Sequence, residues 1–371
     1  MRTLVRGGDL ARRASLARAL TVAVCLQFVA SACAAPPAPA STAAPATAPP
    51  AATAQVGAAS KLTQMTPIKW AATGVSWTTT PQVVGIEKKF FEAENLSLEL
   101  VVAGQSASAC QQVLAKAVEI GQCSLNDMIQ AVESGGAPLV DASTEQVTAI
   151  NYGLMAKPDI KSWADLKGKI IIVGGPKDNT VYYTRLMARP NGLKDDDYQF
   201  QYAGASSARY AALKSGAVDA AILTDPFDSQ AELEGFTRVD DLRPKYITAQ
   251  NYSGGGAVVL KDWAKDHPNE LAAYIRAFER SVNWIYDPAN KDELFNIVQP
   301  KLNTTREAFE KTYTRTVVND KIWATNPLNV DTAIQGVANS LVELGALSAP
   351  APQASKYYDN TYAERAVESM R

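Results

Sequence analysis

Hydrophobic and polar positions follow two different spacings in turn between residues 67 and 223. Over residues 96–102, apolar residues stand at every second position, as in a strand with one buried face, whereas Val83, Ile86 and Phe90 recur at the spacing of one helix face. Short runs of each kind alternate along this part of the chain. Strands that alternate with helices are typical of parallel-rich sheets covered by helices. The pattern therefore predicts an α/β fold.

The alternation comes in two runs and is followed by a helical pattern alone. The first run extends to residue 155, and the second covers residues 169–223. Further along the chain, apolar residues mark one helix face over residues 271–285 and another over residues 330–344. We therefore expect two α/β lobes and a helical C-terminal region.

The first 32 residues are typical of a bacterial export signal. Five arginines precede an apolar run over residues 19–30, and small residues stand directly before Cys33. The apolar run is too short to span a bilayer comfortably, which takes about 20 residues. We expect residues 1–32 to be removed as a signal peptide and Cys33 to be lipidated, while simple secretion and an unremoved anchor stay open.

Residues 34–60 carry no charge and consist mostly of Ala, Pro and Thr. Such a stretch cannot bury a hydrophobic core, so it is expected to be an extended tether. We therefore assign residues 33–60 to a lipidated cysteine and its tether, which would hold the folded part at the outer face of a bacterial inner membrane.

Charge and histidine content exclude several classes of protein. The 371 residues include 36 basic and 38 acidic ones, a formal charge of −2, so the chain has no overall basic character for nucleic acid. Its one histidine, His267, cannot supply a multi-histidine metal site and must serve alone in any Ser-His or Cys-His set. We expect no catalytic residue, no metal, no cofactor and no nucleic-acid partner.

Cysteine use agrees with export from the cytoplasm. Cys25 lies in the predicted signal and Cys33 is the lipidation site, which leaves Cys110 and Cys123 in the body of the chain. Cys110 falls in the first turn of a predicted helix, and Cys123 ends the following predicted strand. A lone pair in an oxidising compartment favours a disulfide, and two separate buried thiols are the alternative.

Six short segments are more informative together, in their order and spacing along the chain, than any one of them is alone. They are residues 85–91 (GIEKKFF), 160–169 (IKSWADLKGK), 191–193 (NGL), 211–221 (AALKSGAVDAA), 225–226 (DP) and 234–236 (EGF). Together they resemble the substrate-binding proteins of ABC importers for sulfonates, nitrate, taurine and thiamine-type pyrimidine precursors. The resemblance covers nearly all of residues 67–371. One departure is Ala117-Val118-Glu119, where the family often has Gly-x-Val-Asp.

The resemblance implies a two-lobed periplasmic binding protein of the type II-like class, with parallel-rich sheets and two crossovers between the lobes. We expect the crossovers near residues 144–155 and 245–258. Lobe I would then comprise residues 61–152 plus 248–371, and lobe II residues 153–247.

The function that this implies is extracytoplasmic capture of a small solute, anionic or planar and aromatic, for delivery to an ABC permease and its ATPase. The protein would be a lipid-anchored monomer in the periplasm or on the outer face of the inner membrane. Two alternatives stay open: an enzyme on the same scaffold, acting on a pyrimidine-like or aromatic substrate, and a sensory solute receptor. The cysteine cluster of the eukaryotic pyrimidine-synthase relatives is absent from the sequence.

Candidate ligand-binding residues lie in loops that follow predicted strands and precede predicted helices. Open parallel sheets bind ligands at the carboxyl ends of their strands, beside helix N-termini, and the resemblance selects the same loops. The candidates are Trp77, Thr78, Thr79, Gln82, Ser124, Asn126, Asn179, Thr180, Ser206 and Asp225.

Some of these candidates also have structural interpretations. Trp77 would stack on a planar ligand, or instead pack against its lobe. Asn179 and Thr180 follow a Gly-Gly-Pro segment at a helix start, where backbone N–H groups attract anions. Asp225 would accept from a ligand amine, or instead stabilise the turn at Pro226.

Overall fold

The computed structural model describes residues 59–147, 151–248 and 250–370. The predicted signal peptide, Cys33 and all but the end of the predicted tether lie outside the described residues. Within the described part the chain forms ten strands and thirteen α-helices.

The strands are β1 (Thr66–Ala72), β2 (Leu96–Val102), β3 (Ile120–Gly121), β4 (Leu139–Gln146), β5 (Tyr152–Ala156), β6 (Ile170–Val173), β7 (Gln199–Tyr202), β8 (Ala220–Thr224), β9 (Thr237–Asp241) and β10 (Gly255–Leu260). The helices are α1 (Thr80–Glu87), α2 (Phe90–Ala93), α3 (Ser106–Leu114), α4 (Leu125–Gly135), α5 (Asn179–Ala188), α6 (Ser206–Lys214), α7 (Phe227–Leu233), α8 (Lys261–Asp266), α9 (Pro268–Tyr286), α10 (Lys291–Leu302), α11 (Arg306–Tyr313), α12 (Asp331–Glu343) and α13 (Thr361–Glu368).

The strands form two sheets with the same internal plan. The first sheet has the order β2-β1-β3-β10-β4, with β1 parallel to β2 and β3, and β10 antiparallel to β3 and β4. The second has the order β7-β6-β8-β5-β9, with β6 parallel to β7 and β8, and β5 antiparallel to β8 and β9. In each sheet one strand, β10 or β5, thus runs opposite to the other four. The predicted two-lobed α/β fold is confirmed.

The chain crosses between the sheets twice, from β4 to β5 and from β9 to β10. We call the first sheet, with α1–α4 and α8–α13, lobe I, and the second sheet, with α5–α7, lobe II. Strands β5 and β9 mark the two ends of the second sheet in the sequence, close to the predicted boundaries. The division into residues 61–152 plus 248–371 and residues 153–247 stays a prediction.

Burial explains why β6, the central strand of the parallel triplet in lobe II, is apolar on both faces. In β6 the side chains of Ile171, Ile172 and Val173 are all buried, as expected for a strand covered by helices on both sides. In lobe I the longest helix, α9, packs against α1, α2 and α13. No helix of the described part is long and apolar enough to span a bilayer.

A disulfide joins α3 to the end of β3. Cys110 lies in the second turn of α3, and Cys123 follows β3 by two residues. Their Cα atoms are 5.6 Å apart, and both side chains are buried. The bridge therefore ties α3 to the segment that follows β3.

Replacing Cys110 and Cys123 together by Ala is expected to lower the free energy of unfolding by about 3 kcal/mol. The bridge closes a short loop, with 13 residues of separation, and so restricts the unfolded chain. Urea unfolding, followed by circular dichroism, measures the effect. Wild-type protein treated with a reductant serves as the control. An unfolding midpoint equal to that of the oxidised wild type would contradict the prediction.

Candidate functional site

A cavity of about 110 Å³ lies between the two lobes. Its wall includes the residues after β1, β3, β6, β7 and β8, that is, after parallel strands of both sheets. The remaining wall comes from the segments that connect the lobes, with Gln146, Tyr152 and residues 254–256. A space of this size can hold several water molecules or a small solute.

Four of the helices that begin at the cavity present a small polar residue to it. Ser106, Asn179 and Ser206 are the first residues of α3, α5 and α6, and Ser124 directly precedes α4; all four line the wall. The first N–H groups of a helix have no acceptor within it, and the helix dipole adds positive potential there. The wall is therefore suited to accept the oxygen atoms of a polar or anionic group.

Five of the ten predicted ligand-binding residues line this cavity: Thr78, Ser124, Asn179, Thr180 and Ser206. Thr180 is held by its Oγ1, which donates to Asp178 Oδ1 at 2.6 Å and accepts from the backbone N–H of Gly174 at 2.7 Å. Ser206 Oγ lies 3.0 Å from Thr224 Oγ1, which is also on the wall. These side chains can exchange their present partners for those of a solute.

Trp77 is not brought to the cavity. Its side chain is 1% exposed, and its Nε1 donates to Thr316 Oγ1 at 2.8 Å. The ring packs against Phe309 and Trp323, with centroid distances of 6.0 Å and 5.7 Å. Residues 77–79 form a 3₁₀ turn, which directs the indole into the helices of lobe I. The expected stacking on a ligand is thus replaced by packing within lobe I.

Thr79 and Gln82 are also buried away from the cavity wall. Thr79 Oγ1 accepts from the backbone N–H of Ser76 at 2.9 Å, so it closes the turn before α1. Gln82 Nε2 donates to Glu145 Oε2 at 2.9 Å and to the hydroxyl of Tyr274 at 3.0 Å. Both side chains therefore stabilise the turn at residues 76–79 and the start of α1 from the buried side.

Asn126 and Asp225 lie outside the wall as well. Asn126 is 1% exposed, because the first turn of α4 packs it into the interior. Asp225 is fully buried; it accepts from Thr312 Oγ1 at 2.8 Å and pairs with Arg315. Burial, with the charge of Asp228 beside it, raises the pKa of Asp225 to about 7. Asp225 thus stabilises the contact between lobe II and the C-terminal helices, in line with its structural interpretation.

Sequence reasoning missed several residues of the wall. Tyr152 and Gln146 reach it because they stand at the ends of the strands that flank the first crossover. Gln122 is one residue before the disulfide cysteine, and Asp178 precedes α5 as its N-cap. The signal for Asp178 was present, since it lies in the same loop as Asn179 and Thr180. No local pattern marks the other three.

Arg209 is the one basic side chain on the described wall. Its guanidinium donates to the carbonyl oxygens of Ile222 (2.7 Å), Ala203 (3.1 Å) and Gly204, and to Ser206 Oγ (2.7 Å). Burial lowers the pKa of Arg209 from its usual value. The residue therefore fixes the loop before α6 and adds positive charge at that side of the cavity.

A buried carboxylate beneath the wall orients Gln122. Glu145, which is 1% exposed, accepts from Gln82 Nε2, from Gln122 Nε2 (3.3 Å) and from the hydroxyl of Tyr274 (2.7 Å). Because the amide nitrogen of Gln122 points to Glu145, its oxygen is the atom left for a donor in the cavity. Burial raises the pKa of Glu145 to about 7.

The wall offers no obvious catalytic pair. Cys123 is bonded in the disulfide, and His267 stacks on Trp263 (centroids 5.1 Å apart) at the junction of α8 and α9. Among residues 59–147, 151–248 and 250–370, no group of three or more His, Cys, Asp or Glu side chains is arranged to hold a metal ion. The geometry supports binding through hydrogen bonds and charge.

Comparison with known proteins identifies a family. The family model described as NMT1/THI5 like matches residues 77–291. No curated protein matches the chain by sequence.

Solved structures share the fold at low sequence identity. The alkanesulfonate-binding protein SsuA from Xanthomonas axonopodis pv. citri, bound to MOPS, is 16% identical with a TM-score of 0.66; 81% of this chain and 100% of that chain are covered. The periplasmic nitrate-binding protein NrtA from Synechocystis PCC 6803 is 13% identical with a TM-score of 0.68, over 83% and 89% of the two chains. The desulfurization enzyme DSZB is 14% identical with a TM-score of 0.57, over 82% and 99%.

Replacing Asp127 by Asn is expected to stabilise the protein more at pH 8 than at pH 5. Burial and the charge of Asp178 raise the pKa of Asp127 to about 7. Between about pH 4 and pH 7, the folded state therefore binds a proton that the unfolded state, with a pKa near 4, has already lost. Asp127 thus lowers the free energy of unfolding as pH rises through this range, and the loss is complete above it.

Melting temperatures of Asp127→Asn and wild type at several pH values measure the effect, and taking their difference cancels the titrating groups that do not interact with Asp127. Asp196→Asn, at an exposed turn, is the matched control. A difference between Asp127→Asn and wild type that is constant from pH 5 to pH 8 would contradict the prediction.

Proposed function

The chain belongs to the NMT1/THI5-like family, and we propose on that basis that it captures a small solute outside the cytoplasm and delivers it to an ABC importer. The observation that carries this proposal is the cavity whose wall is shared by both lobes. A solute in that position contacts the carboxyl ends of parallel strands from two sheets at once. This is the place where open parallel sheets bind their ligands.

The residues of the wall support the proposed solute class, a small anionic or planar aromatic solute. One side of the cavity presents Arg209 and the start of α6, which favour an anionic or acceptor group. Tyr152 and Phe227 present aromatic rings that suit a planar or apolar part of the solute. Two structural neighbours are named as alkanesulfonate-binding and nitrate-binding proteins, which agrees with an anionic group on the solute proposed here.

Binding is proposed to stabilise the closed arrangement of the lobes. The loops before α3 and α6 come so close that a Cβ on Gly204 would overlap with the carbonyl oxygen of Gly104. A solute between such loops touches both lobes only when they are closed, so its binding energy shifts the population toward that state. The importer would recognise the closed, loaded protein.

The partners and location remain those expected from the sequence. The solute would pass to a permease driven by a cytoplasmic ATPase. Lipidation of Cys33 and the tether over residues 33–60 would keep a monomeric protein at the outer face of the inner membrane. The alternative is an enzyme on this scaffold. The observation that favours it is the similarity to the desulfurization enzyme DSZB, which is a similarity of fold alone.

A thermal-shift screen over sulfonates, nitrate, carboxylates and pyrimidines is expected to give a saturable rise in melting temperature for at least one class. A solute at 100 times its Kd adds about 2.7 kcal/mol to the free energy of unfolding. Mass spectrometry of the recovered solute distinguishes binding from turnover. A properly folded protein that binds none of these classes would contradict the proposal, and chemical conversion of the solute would favour the enzyme.

Replacing Gly204 by Ala is expected to weaken solute binding about 5- to 150-fold, because overpacking of a tight contact costs about 1–3 kcal/mol. In this arrangement of the lobes the added methyl group would meet the backbone of Gly104, and we propose that opening of the lobes relieves that contact. Isothermal titration measures the affinity. Gly135→Ala in α4 is the matched control, since a Cβ there meets nothing within 4 Å. Equal affinities of the two variants would show that closure at Gly204 does not accompany binding.

A further inference from the structure

One arginine of lobe I binds two buried carboxylates of lobe II. Arg315 lies in the π-helical turn Thr314–Asn319, which follows α11, while Asp225 precedes α7 by two residues and Asp228 lies in the first turn of α7. The Nη2 atom of Arg315 donates to Asp228 Oδ2 at 2.6 Å, to Ser229 Oγ at 3.2 Å and to Asp225 Oδ1. Both carboxylates are fully buried. A charged contact outside the cavity wall thus joins the lobes.

Hydrogen bonds continue from this contact to both crossovers. Arg238 of β9 donates from Nη1 to Asp228 Oδ2 at 3.1 Å and to Asp241 Oδ1 at 2.7 Å. Asn151, in the first crossover, donates from Nδ2 to Asp241 Oδ1 at 2.8 Å. The Oδ1 of Asn151 accepts from the backbone N–H of Arg243, in the second crossover, at 2.9 Å. The charged contact therefore lies beside the two segments in which a hinge between the lobes has to bend.

The second crossover leads the network back to lobe I. The guanidinium of Arg243 pairs with Asp320, the residue after the π-helical turn, at 3.0 Å. Lys311 of α11 also pairs with Glu232 of α7 at 2.9 Å. Because the network starts and ends at one short segment of lobe I, a rotation of the lobes about this segment can leave it intact. Separating the lobes here would instead deprive two buried carboxylates of Arg315, which is strongly unfavourable.

The π-helical turn is also bonded to the loop that carries the wall of the cavity in lobe I. Thr316 Oγ1 accepts from Trp77 Nε1 at 2.8 Å, and Trp77 directly precedes Thr78 of the wall. In lobe II, Asp225 directly follows the wall residue Thr224. Two neighbouring residues of one turn thus hold a wall loop of each lobe. Short π-helical segments are frequent at functional sites.

We propose that Arg315 is a positioning residue of the solute site, which keeps α7 on the π-helical turn while the lobes open and close, so that the lobes rotate about this contact. Arg315 does not touch the solute and acts through Asp225 and Asp228. This inference rests on the proposed opening and closing of the lobes, but not on the identity of the solute.

The experiment measures the distance between the lobes in the solute-free protein. Spin labels are placed at Ser134→Cys in α4 and Ala211→Cys in α6, both exposed positions, in the full chain with Cys25 and Cys33 replaced by Ser. Pulsed electron resonance then gives the distribution of distances between the labels. Because no solute is added, the result does not depend on which solute the protein binds.

Three variants in this background test the contact: Arg315→Met, Arg315→Lys, and Arg315→Met combined with Asp225→Asn. Arg306→Met is the matched control, because Arg306 also pairs with two carboxylates, Asp292 and Glu310, and all three residues belong to lobe I. Thermal melts confirm the folding of each variant.

Arg315→Met is expected to broaden the distance distribution about twofold, because the buried carboxylates lose the charge that binds them to lobe I. Arg315→Lys restores that charge, and Asp225→Asn in the double variant removes the carboxylate that Arg238 does not pair with. Each should therefore recover part of the wild-type width. Arg306→Met should keep the wild-type distribution.

A wild-type width in Arg315→Met, or equal broadening in Arg306→Met, would overturn the inference. A distribution that moves to longer distances at unchanged width would overturn it as well, since Arg315 would then close the lobes and not serve their rotation. If Arg315→Met does not fold, the double variant serves the same test, and a full wild-type width in it would overturn the inference. Each of these results leaves the proposed function standing, because that depends on the binding of a solute.

Discussion

The close approach of the two lobes at Gly104 and Gly204 determines what the rest of the molecule can do. Because no side chain separates these two loops, the helices that begin after them, α3 and α6, can point at the same space. The walls of two separate sheets then enclose one cavity. Without that contact the same residues would line two open surfaces, and a small solute could touch only one of them.

The interface between the lobes contains two acidic pairs, which differ in whether basic side chains pair with them. Away from the cavity, Asp225 and Asp228 are both fully buried and share Arg315 from the turn after α11, with Arg238 3.1 Å from Asp228. In this pair, Arg315 and Arg238 provide the positive charge that balances the two carboxylates. At the cavity, neither Asp127 nor Asp178 forms an ion pair within residues 59–147, 151–248 and 250–370; they accept hydrogen bonds from Ser124 and Thr180 instead.

Much of the fold could be predicted from the sequence because it depends on local periodicity. Strand and helix spacings are set by neighbours a few residues away, so the alternation and the loops after the parallel strands followed from the hydrophobic pattern. The wall residues Ser124, Thr180 and Ser206 were found for the same reason, since they stand where a strand gives way to a helix.

The orientation of individual side chains could not be predicted in this way, because it depends on distant partners. Trp77 turns inward toward Thr316, and Gln82 finds Glu145 on a strand 63 residues away. Asp225 meets Arg315 across 90 residues. Tyr152 reaches the cavity through the path of a crossover, which no local pattern encodes.

The most direct test of the account is the distance between the lobes with and without solute. Spin labels on Gln111→Cys in α3 and Ala211→Cys in α6, both exposed positions, report that distance by pulsed electron resonance once Cys25 and Cys33 are replaced by Ser. Saturation with a bound solute should shorten the mean distance and narrow its distribution. A distribution that stays the same while calorimetry shows the site to be full would contradict closure around the solute.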